Sequence, residues 1–270
     1  MRRRYLLSSL PALVLAFTGG VQASGFHVHH DLQCRYSTDY DVQVEPDGIA
    51  FTRHDGDPGD VFMHDGALRV DGHDVSVSHA DAARLREYEQ QVRGLVPAVA
   101  AIARDGVDIG YAALTTVVAT LSEDADERRR LLQELRDRHA DARQHIDDTL
   151  GRGRWQSGDG ADFFDHNLQH TAADMVGTVT GDVLKDALSG DSNRLAALQA
   201  RTDSLDTTLD KAINAPANKL GERAQALCPQ LGQLQQLQQQ FQFRLSHGER
   251  LQLITSNTDS SDKASQYAQR

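Results

Sequence analysis

The sequence predicts an α+β fold, in which a small N-terminal antiparallel β-meander packs on a mainly helical bundle with long amphipathic helices. Between Val42 and Ser78, apolar and polar residues alternate and Asp-Gly pairs interrupt the pattern, as in short strands joined by hairpins. After Ser78, apolar residues recur every three or four positions, which is the period of an amphipathic helix. We therefore expect a β-meander module at 24–79, a helical region at 80–254 and a disordered polar tail at 255–270.

The first 23 residues have the pattern of a secretory signal peptide. The positive residues Arg2–Arg4 precede the mostly apolar stretch Tyr5–Phe17, and Val21 and Ala23 occupy the positions that a signal peptidase reads. We expect cleavage after Ala23 and a periplasmic location. The stretch is too short to span about 30 Å of hydrocarbon comfortably, and no later run approaches about 20 apolar residues. We therefore expect no transmembrane segment in the mature chain.

The charge of the chain argues against two classes of partner. The formal charge is -11, and loss of three arginines with the signal peptide would take it to -14. A chain this acidic is a poor candidate for binding nucleic acid or anionic lipid by electrostatics. Residues 24–79 contain 11 acidic and 3 basic residues, which is typical of a separate module.

Five strands are predicted in the meander, because turn dipeptides bound each apolar alternation. Asp47-Gly48, Asp65-Gly66 and Asp71-Gly72 supply the positive φ that tight hairpin turns need. One face is apolar, and we expect it to lie on helices, because so small a sheet is marginal alone. The predicted strands are Asp41–Val44, Ile49–Arg53, Asp60–His64, Ala67–Val70 and Asp74–Ser78.

Local signals in the sequence predict where the helices of the helical region begin and end. A capping-box pattern at Ser78 begins the first helix, and Pro97 is expected to kink or end it. Glycines at 151–160 indicate a loop that contains the single tryptophan, Trp155. The other predicted helices cover about 107–121, 122–150 and 162–188.

The last helices are expected between Asn193 and Ile254, with breaks near Pro216 and Pro229. The glutamine-rich run at 233–242 keeps leucines in helical register. It is therefore predicted to be an amphipathic, coiled-coil-like helix.

Two cysteines, Cys34 and Cys228, are present. In an exported chain an even pair usually forms a disulfide. The alternative, a redox or metal-binding thiol pair, lacks a CxxC spacing. We expect a structural Cys34–Cys228 bridge that ties the N-terminal module to the C-terminal helices.

One passage resembles a known family. The run from Asp65 to Gly72, followed by Leu85, Tyr88 and Val96-Pro97, is similar to the YggN-like family of proteobacterial periplasmic proteins of unknown function. The similarity extends to about Leu245. It implies a periplasmic location and brings no activity or catalytic residue.

Two histidine groups are candidate metal ligands. His27, His29 and His30 follow the cleavage site, and imidazoles at this spacing can chelate Cu(II) or Zn(II); the alternative is a solvated leader. His166 and His170 lie one turn apart, between Asp162 and Asp174, so neighbours in this series could share a metal. The alternative, a solvated helix face, explains them without any metal.

A third candidate is the acidic loop 55–60, which is rich in oxygen ligands for calcium. It lacks the EF-hand order, and Pro58-Gly59 better suits a turn.

Enzyme signatures such as GxSxG, HExxH and the P-loop are missing from the sequence. We therefore expect a non-enzymatic periplasmic protein that acts through contact with a protein partner or the cell envelope, with no cofactor. The alternatives are a Cu or Zn binder that uses the N-terminal histidines and, less favoured, a hydrolase with an unrecognised site. The sequence leaves self-association open.

Overall fold

The computed structural model describes residues 36–156, Thr171, Ala173 and 191–256. Within them an antiparallel sheet is followed by long helices, which confirms the α+β class. The signal peptide, most of the helix predicted at 162–188 and the tail after Ser256 lie outside the described residues.

The strands form a six-stranded antiparallel sheet and a separate two-stranded pair. The order in the large sheet is β6-β5-β4-β3-β2-β7, and β1 pairs with β8. Sequential strands are therefore neighbours, as in a meander, and β7, from much later in the chain, joins the sheet beside β2. The strands are β1 (Tyr36–Ser37), β2 (Asp41–Glu45), β3 (Gly48–Thr52), β4 (Asp60–His64), β5 (Ala67–Val70), β6 (His73–Asp74), β7 (Arg154–Trp155) and β8 (Thr255–Ser256).

Two Asp-Gly pairs make the turns that the sequence predicts. Asp65 and Gly66 have φ of 46° and 83°, and Asp71 and Gly72 have φ of 49° and 78°, as in type I′ turns. At Gly66 a Cβ atom would also lie 2.6 Å from the carbonyl oxygen of Ala82, so the hairpin approaches the first helix closely. The last predicted strand is shorter than expected, because only His73–Asp74 pairs with β5 before the chain turns into that helix.

The helices follow the sheet, with a second group after residue 190. A 3-10 turn at Leu150–Arg152 leads into β7, and a π-helical turn at Asp210–Asn214 joins α3 to α4. The helices are α1 (His79–Leu121), α2 (Ala125–Asp148), α3 (Ser192–Leu209), α4 (Ala215–Gln225) and α5 (Cys228–Gln239).

Helix α1 is continuous, although Pro97 was expected to kink or end it. Ser78 caps its first turn by accepting a hydrogen bond from the Asp81 N–H. Pro97 lies on the exposed side, where water can solvate the carbonyl that loses its donor. Apolar residues of α1 pack in one core before Pro97 and in another after it, so packing outweighs the local cost of proline.

The first core lies between the sheet, the N-terminal half of α1, α5 and the segment after α5. It holds Ile49, Phe51, Val61, Met63, Leu85, Tyr88, Leu237, Phe241 and Leu251. The second core joins the C-terminal half of α1 to α2, through Val107, Tyr111, Val118, Leu131, Leu135 and Ile146. The sheet therefore sits at one end of a long helical hairpin.

The chain after α5 differs from the prediction. The last helix ends at Gln239 instead of continuing to Ile254, and residues 241–254 form an irregular segment that leads to β8. Pro229 lies in the first turn of α5, where proline is tolerated. Pro216 lies in the first turn of α4, which follows α3 and the π-helical turn without an intervening non-helical residue.

Candidate functional site

An apolar cavity of about 400 Å³ lies where the large sheet, α1, α5 and the segment before β8 meet. Its volume falls in the range of about 300–1,000 Å³ that is usual for small-molecule sites. The cavity is lined by Val42 and Phe51 of the sheet, Tyr88, Val92, Leu95, Val96 and Val99 of α1, Leu150 and Trp155 after α2, Leu231 and Leu234 of α5, Leu253 and Ile254 before β8, and Tyr36, Ser37 and Thr38.

Strand β7 brings Trp155 to this cavity. Val42 pairs with Trp155 in register, and the Val44 N–H donates to the Gly153 carbonyl at 2.8 Å. Gly153 has a φ of 81°, and a Cβ there would lie 2.7 Å from the Val44 carbonyl oxygen. Glycine is therefore required for the close approach that starts this strand pair.

The indole N–H of Trp155 is shielded from water and has no acceptor. Buried donors are rarely left unpaired, and such a group costs about 1–3 kcal/mol. The nearby hydroxyls have local partners: the Thr38 Oγ1 accepts from the Tyr40 N–H at 3.2 Å, and the Ser37 Oγ lies 3.2 Å from the Thr255 Oγ1. Trp155 thus contributes to the lining of the cavity, while its indole N–H is itself buried and unpaired.

Tyr88 forms a buried, neutral part of the lining. Burial raises the pKa of its phenol well above the ordinary value. Its ring centroid lies 6.4 Å from that of Phe51 and 6.0 Å from that of Phe241, distances at which aromatic rings attract. None of the described residues that line the cavity carries a charge.

The acidic loop at 55–60 is held by an arginine. Arg53 donates through Nε to the Pro58 carbonyl at 3.0 Å and through Nη2 to the Asp57 carbonyl. The Tyr40 hydroxyl also donates to the Pro58 carbonyl, at 2.9 Å. Since a guanidinium already occupies these carbonyl oxygens, the structure favours the turn interpretation of this loop over a calcium site.

The predicted metal ligands are not tested. His27, His29 and His30 lie outside the described residues, as do His166 and His170. In the part of the chain that the structure describes, no three His, Cys, Asp or Glu side chains come together as a metal site. Both copper or zinc sites therefore stay predictions.

Of the predicted disulfide pair, only Cys228 is described, as the first residue of α5; Cys34 lies outside the described residues. The site residue that sequence reasoning missed is Trp155, which was expected in a loop and lies in β7. Its one available signal was that it is the single tryptophan of the chain.

Comparison with known proteins identifies a family through residues 34–254, which match the family described as "Protein of unknown function (DUF2884)". The chain belongs to this family. No curated protein and no solved structure matches the chain. Among the described residues of this DUF2884 protein, no helix combines the length and the apolar character needed to cross a bilayer.

Proposed function

We propose that this chain is an exported, YggN-like periplasmic protein that binds an apolar small molecule in the cavity between its sheet and helices, without catalysing a reaction. The cavity carries the proposal. It combines a volume of about 400 Å³ with an almost wholly apolar lining, which is the usual make-up of a small-molecule site.

The composition of the cavity supports binding over chemistry. General acid–base or nucleophilic catalysis needs titratable side chains that converge on one reacting atom. The described lining offers instead two hydroxyls with local partners, an indole and tyrosine phenols.

The proposal of export rests on the charged and apolar pattern of the first 23 residues. Mass spectrometry of protein from the periplasmic fraction tests it, and a mature N-terminus at Ser24 would support it.

A dye titration tests the proposed cavity. An uncharged naphthylamine dye, whose emission rises in apolar surroundings, should bind the purified mature protein saturably. The variant Val96→Phe adds bulk to the cavity wall and should weaken dye binding about tenfold or more, because overpacking typically costs about 1–3 kcal/mol. The matched control is Val117→Phe, a partly buried valine on the same helix outside the cavity.

The control variant should bind the dye as the wild type does. No saturable dye binding by the wild type, or equal binding by Val96→Phe and the wild type, would contradict the proposed function. Thermal unfolding of both variants would show that each is folded during the titration.

A further inference from the structure

We propose that the ligand is a zwitterionic amphiphile, whose apolar chain lies in the cavity and whose doubly charged head lies in a polar pocket beside it. This inference rests on the proposed function and narrows it to one chemical class. Three observations support it: the uncharged lining of the cavity, the wall that it shares with the polar pocket, and the unpaired charges of both signs in that pocket.

The lining of the cavity excludes a charged group. No described lining residue is charged, and Tyr88 is buried there as a neutral phenol. A carboxylate or ammonium group placed against this lining would lose its hydration without gaining an ion pair, which costs far more than burying hydrocarbon. The part of the ligand inside the cavity is therefore uncharged, and any charged part of it lies outside.

A polar pocket of about 230 Å³ adjoins the cavity next to the β1–β8 pair. Ser37, Thr38 and Leu253 line both spaces, so the two lie side by side with these residues as the shared wall. A ligand whose chain occupies the cavity can therefore place its head in the polar pocket.

Another polar pocket borders the cavity at Val42 and Trp155. Its lining includes Asp41 and Gln43, which alternate with Val42 along β2, so their side chains point to the opposite face of the sheet. The sheet therefore stands between that pocket and the cavity, and the pocket beside β1 and β8 is the favoured place for the head.

The polar pocket beside β1 and β8 contains charges of both signs. Its lining includes the carboxylates of Asp39, Asp57 and Glu249 and the guanidinium groups of Arg53 and Arg250. In the described part of the chain, these carboxylates form no ion pair with either arginine. Arg53 donates instead to two backbone carbonyls of the 55–60 loop, and Arg250 donates to one at the end of α5.

These charges favour a head with one group of each sign. Backbone carbonyls carry only partial charge, so the guanidinium groups stay available to a phosphate, which they bind strongly. The carboxylates stay available to an ammonium group. A head with a single charge would meet like charges in the same pocket, which is unfavourable.

Displacement of the bound naphthylamine dye tests this class. Decylphosphocholine, decanoate and decyltrimethylammonium share a ten-carbon tail length and differ in the charge of the head. Below its micelle concentration, decylphosphocholine should displace the dye at concentrations about threefold or more lower than the other two. Phosphocholine alone should not displace the dye, because it has no chain to enter the cavity.

A double variant tests the place of the head. Glu249→Gln with Arg250→Gln removes one exposed charge of each sign from the polar pocket and leaves the net charge unchanged. It should weaken decylphosphocholine binding about three- to tenfold, as expected for two exposed charge contacts, and leave dye binding within about twofold of wild type.

The matched control is Glu222→Gln with Arg244→Gln, which makes the same two changes at exposed positions outside both spaces. It should bind decylphosphocholine as the wild type does. Thermal unfolding of both double variants would show that each is folded during the titration.

A second measurement needs no variant. In nitrogen-15 spectra of the wild-type protein, decylphosphocholine should shift the backbone amide resonances of Glu249 and Arg250, because its head lies beside them. Decanol has the same chain with an uncharged head, so it should displace the dye and leave these two resonances in place.

The outcomes separate the two proposals. If the dye fails to bind, the proposed function falls. If the dye binds and Val96→Phe excludes it, the cavity stands. The zwitterion inference is then overturned by equal potency of the three charged amphiphiles, by displacement with phosphocholine alone, by unchanged affinity in the Glu249→Gln, Arg250→Gln variant, or by amide resonances that do not move.

Discussion

Asp81 is a carboxylate that folding removes from water, since its residue is 1% exposed. Its oxygens accept hydrogen bonds from the Ser78 hydroxyl at 3.0 Å, from Arg84 at 2.8 Å and from the Gln242 N–H at 3.1 Å. Burial raises the pKa of Asp81, but these three donors and the Arg84 charge outweigh burial, so the pKa is lowered overall. One side chain thereby joins the start of α1 to the chain after α5.

We predict that Asp81→Asn destabilises the protein by about 1–3 kcal/mol at pH 7, because the amide presents one acceptor where the carboxylate presents two. The folded pKa lies below the unfolded value of about 3.9. The charged group therefore stabilises the fold above that pH, and this contribution is lost as the pH falls through the folded pKa. Urea unfolding of the wild type and the variant should show a gap at pH 7 that narrows in acid.

The control for Asp81 is Asp74→Asn, since Asp74 is an exposed carboxylate on β6. This variant should unfold close to wild type at pH 7. A gap between wild type and Asp81→Asn that stays constant from pH 7 into acid would contradict the ionic role of Asp81.

At the scale of elements, local signals placed two of the three predicted Asp-Gly turns, put the third one residue too late and missed the continuity of α1. Asp65-Gly66 and Asp71-Gly72 supply their own positive φ, so a dipeptide suffices to place those turns. Pro97 also carries a local signal, for a break, but the buried residues on both sides of it, such as Val92 and Val107, belong to cores made with other elements. Packing of that kind has no local signature.

Polar contacts between α1 and α2, which form a helical hairpin, were likewise not predictable from local sequence. Asp108 on α1 accepts from the His139 Nε2–H at 2.7 Å and from Arg143 at 2.8 Å, both on α2. The sequence predicted an amphipathic helix at 122–150, and the structure buries Leu131, Leu135 and Ile146 of α2 in the second core. These polar contacts depend on which residues of α1 and α2 face each other, and the spacing within one helix does not define that.

An irregular segment follows α5 in place of the predicted helix, and one glutamine side chain binds the backbone at its end. The Gln238 Oε1 accepts from the N–H groups of Leu253 at 2.6 Å and Ile254 at 3.1 Å, and its Nε2 donates to the Ile254 carbonyl at 3.0 Å. In the sequence Gln238 is one of many glutamines in the 233–242 run. Nothing local distinguishes it from the exposed Gln236.

We predict that Gln238→Leu costs several times more stability than Gln236→Leu. The first change leaves three buried backbone groups without partners, each worth about 1–3 kcal/mol, whereas the second alters an exposed position. Urea unfolding measures the difference, and amide hydrogen exchange at Leu253 and Ile254 should accelerate in Gln238→Leu alone. Equal stability of the two variants would contradict this role.

At the scale of the whole molecule, the cavity brings together residues that are far apart in the chain. Val42, Trp155 and Leu231 reach it from the first hairpin, from the strand after α2 and from α5. Strand β7 has only two residues, which is too short to show an alternation of apolar and polar side chains. Its pairing with β2 could therefore not be predicted from the sequence. The apolar faces were predictable one by one, but the space that they leave between them was not.

The Cys34–Cys228 bridge, which we propose, would join the start of the described chain to α5, one of the helices that line the cavity. The first described residue, Tyr36, lies on α5: its hydroxyl oxygen is 3.0 Å from where a Cβ on Gly232 would be. Gly232 is about one helical turn, roughly 6 Å, beyond Cys228. The Tyr36 side chain therefore contacts the helix that begins at Cys228, and this contact supports the pairing.

We predict that protein purified from the periplasmic fraction without reductant contains no titratable thiol and gives a linked peptide pair on digestion. Reduction should lower the free energy of unfolding by up to about 5 kcal/mol, since the bridge would close a loop of nearly 200 residues. Cys228→Ser should lose as much as Cys34→Ser with Cys228→Ser, because either change removes the same bond. Two free thiols in the unreduced protein, or additive losses in the double variant, would contradict the bridge.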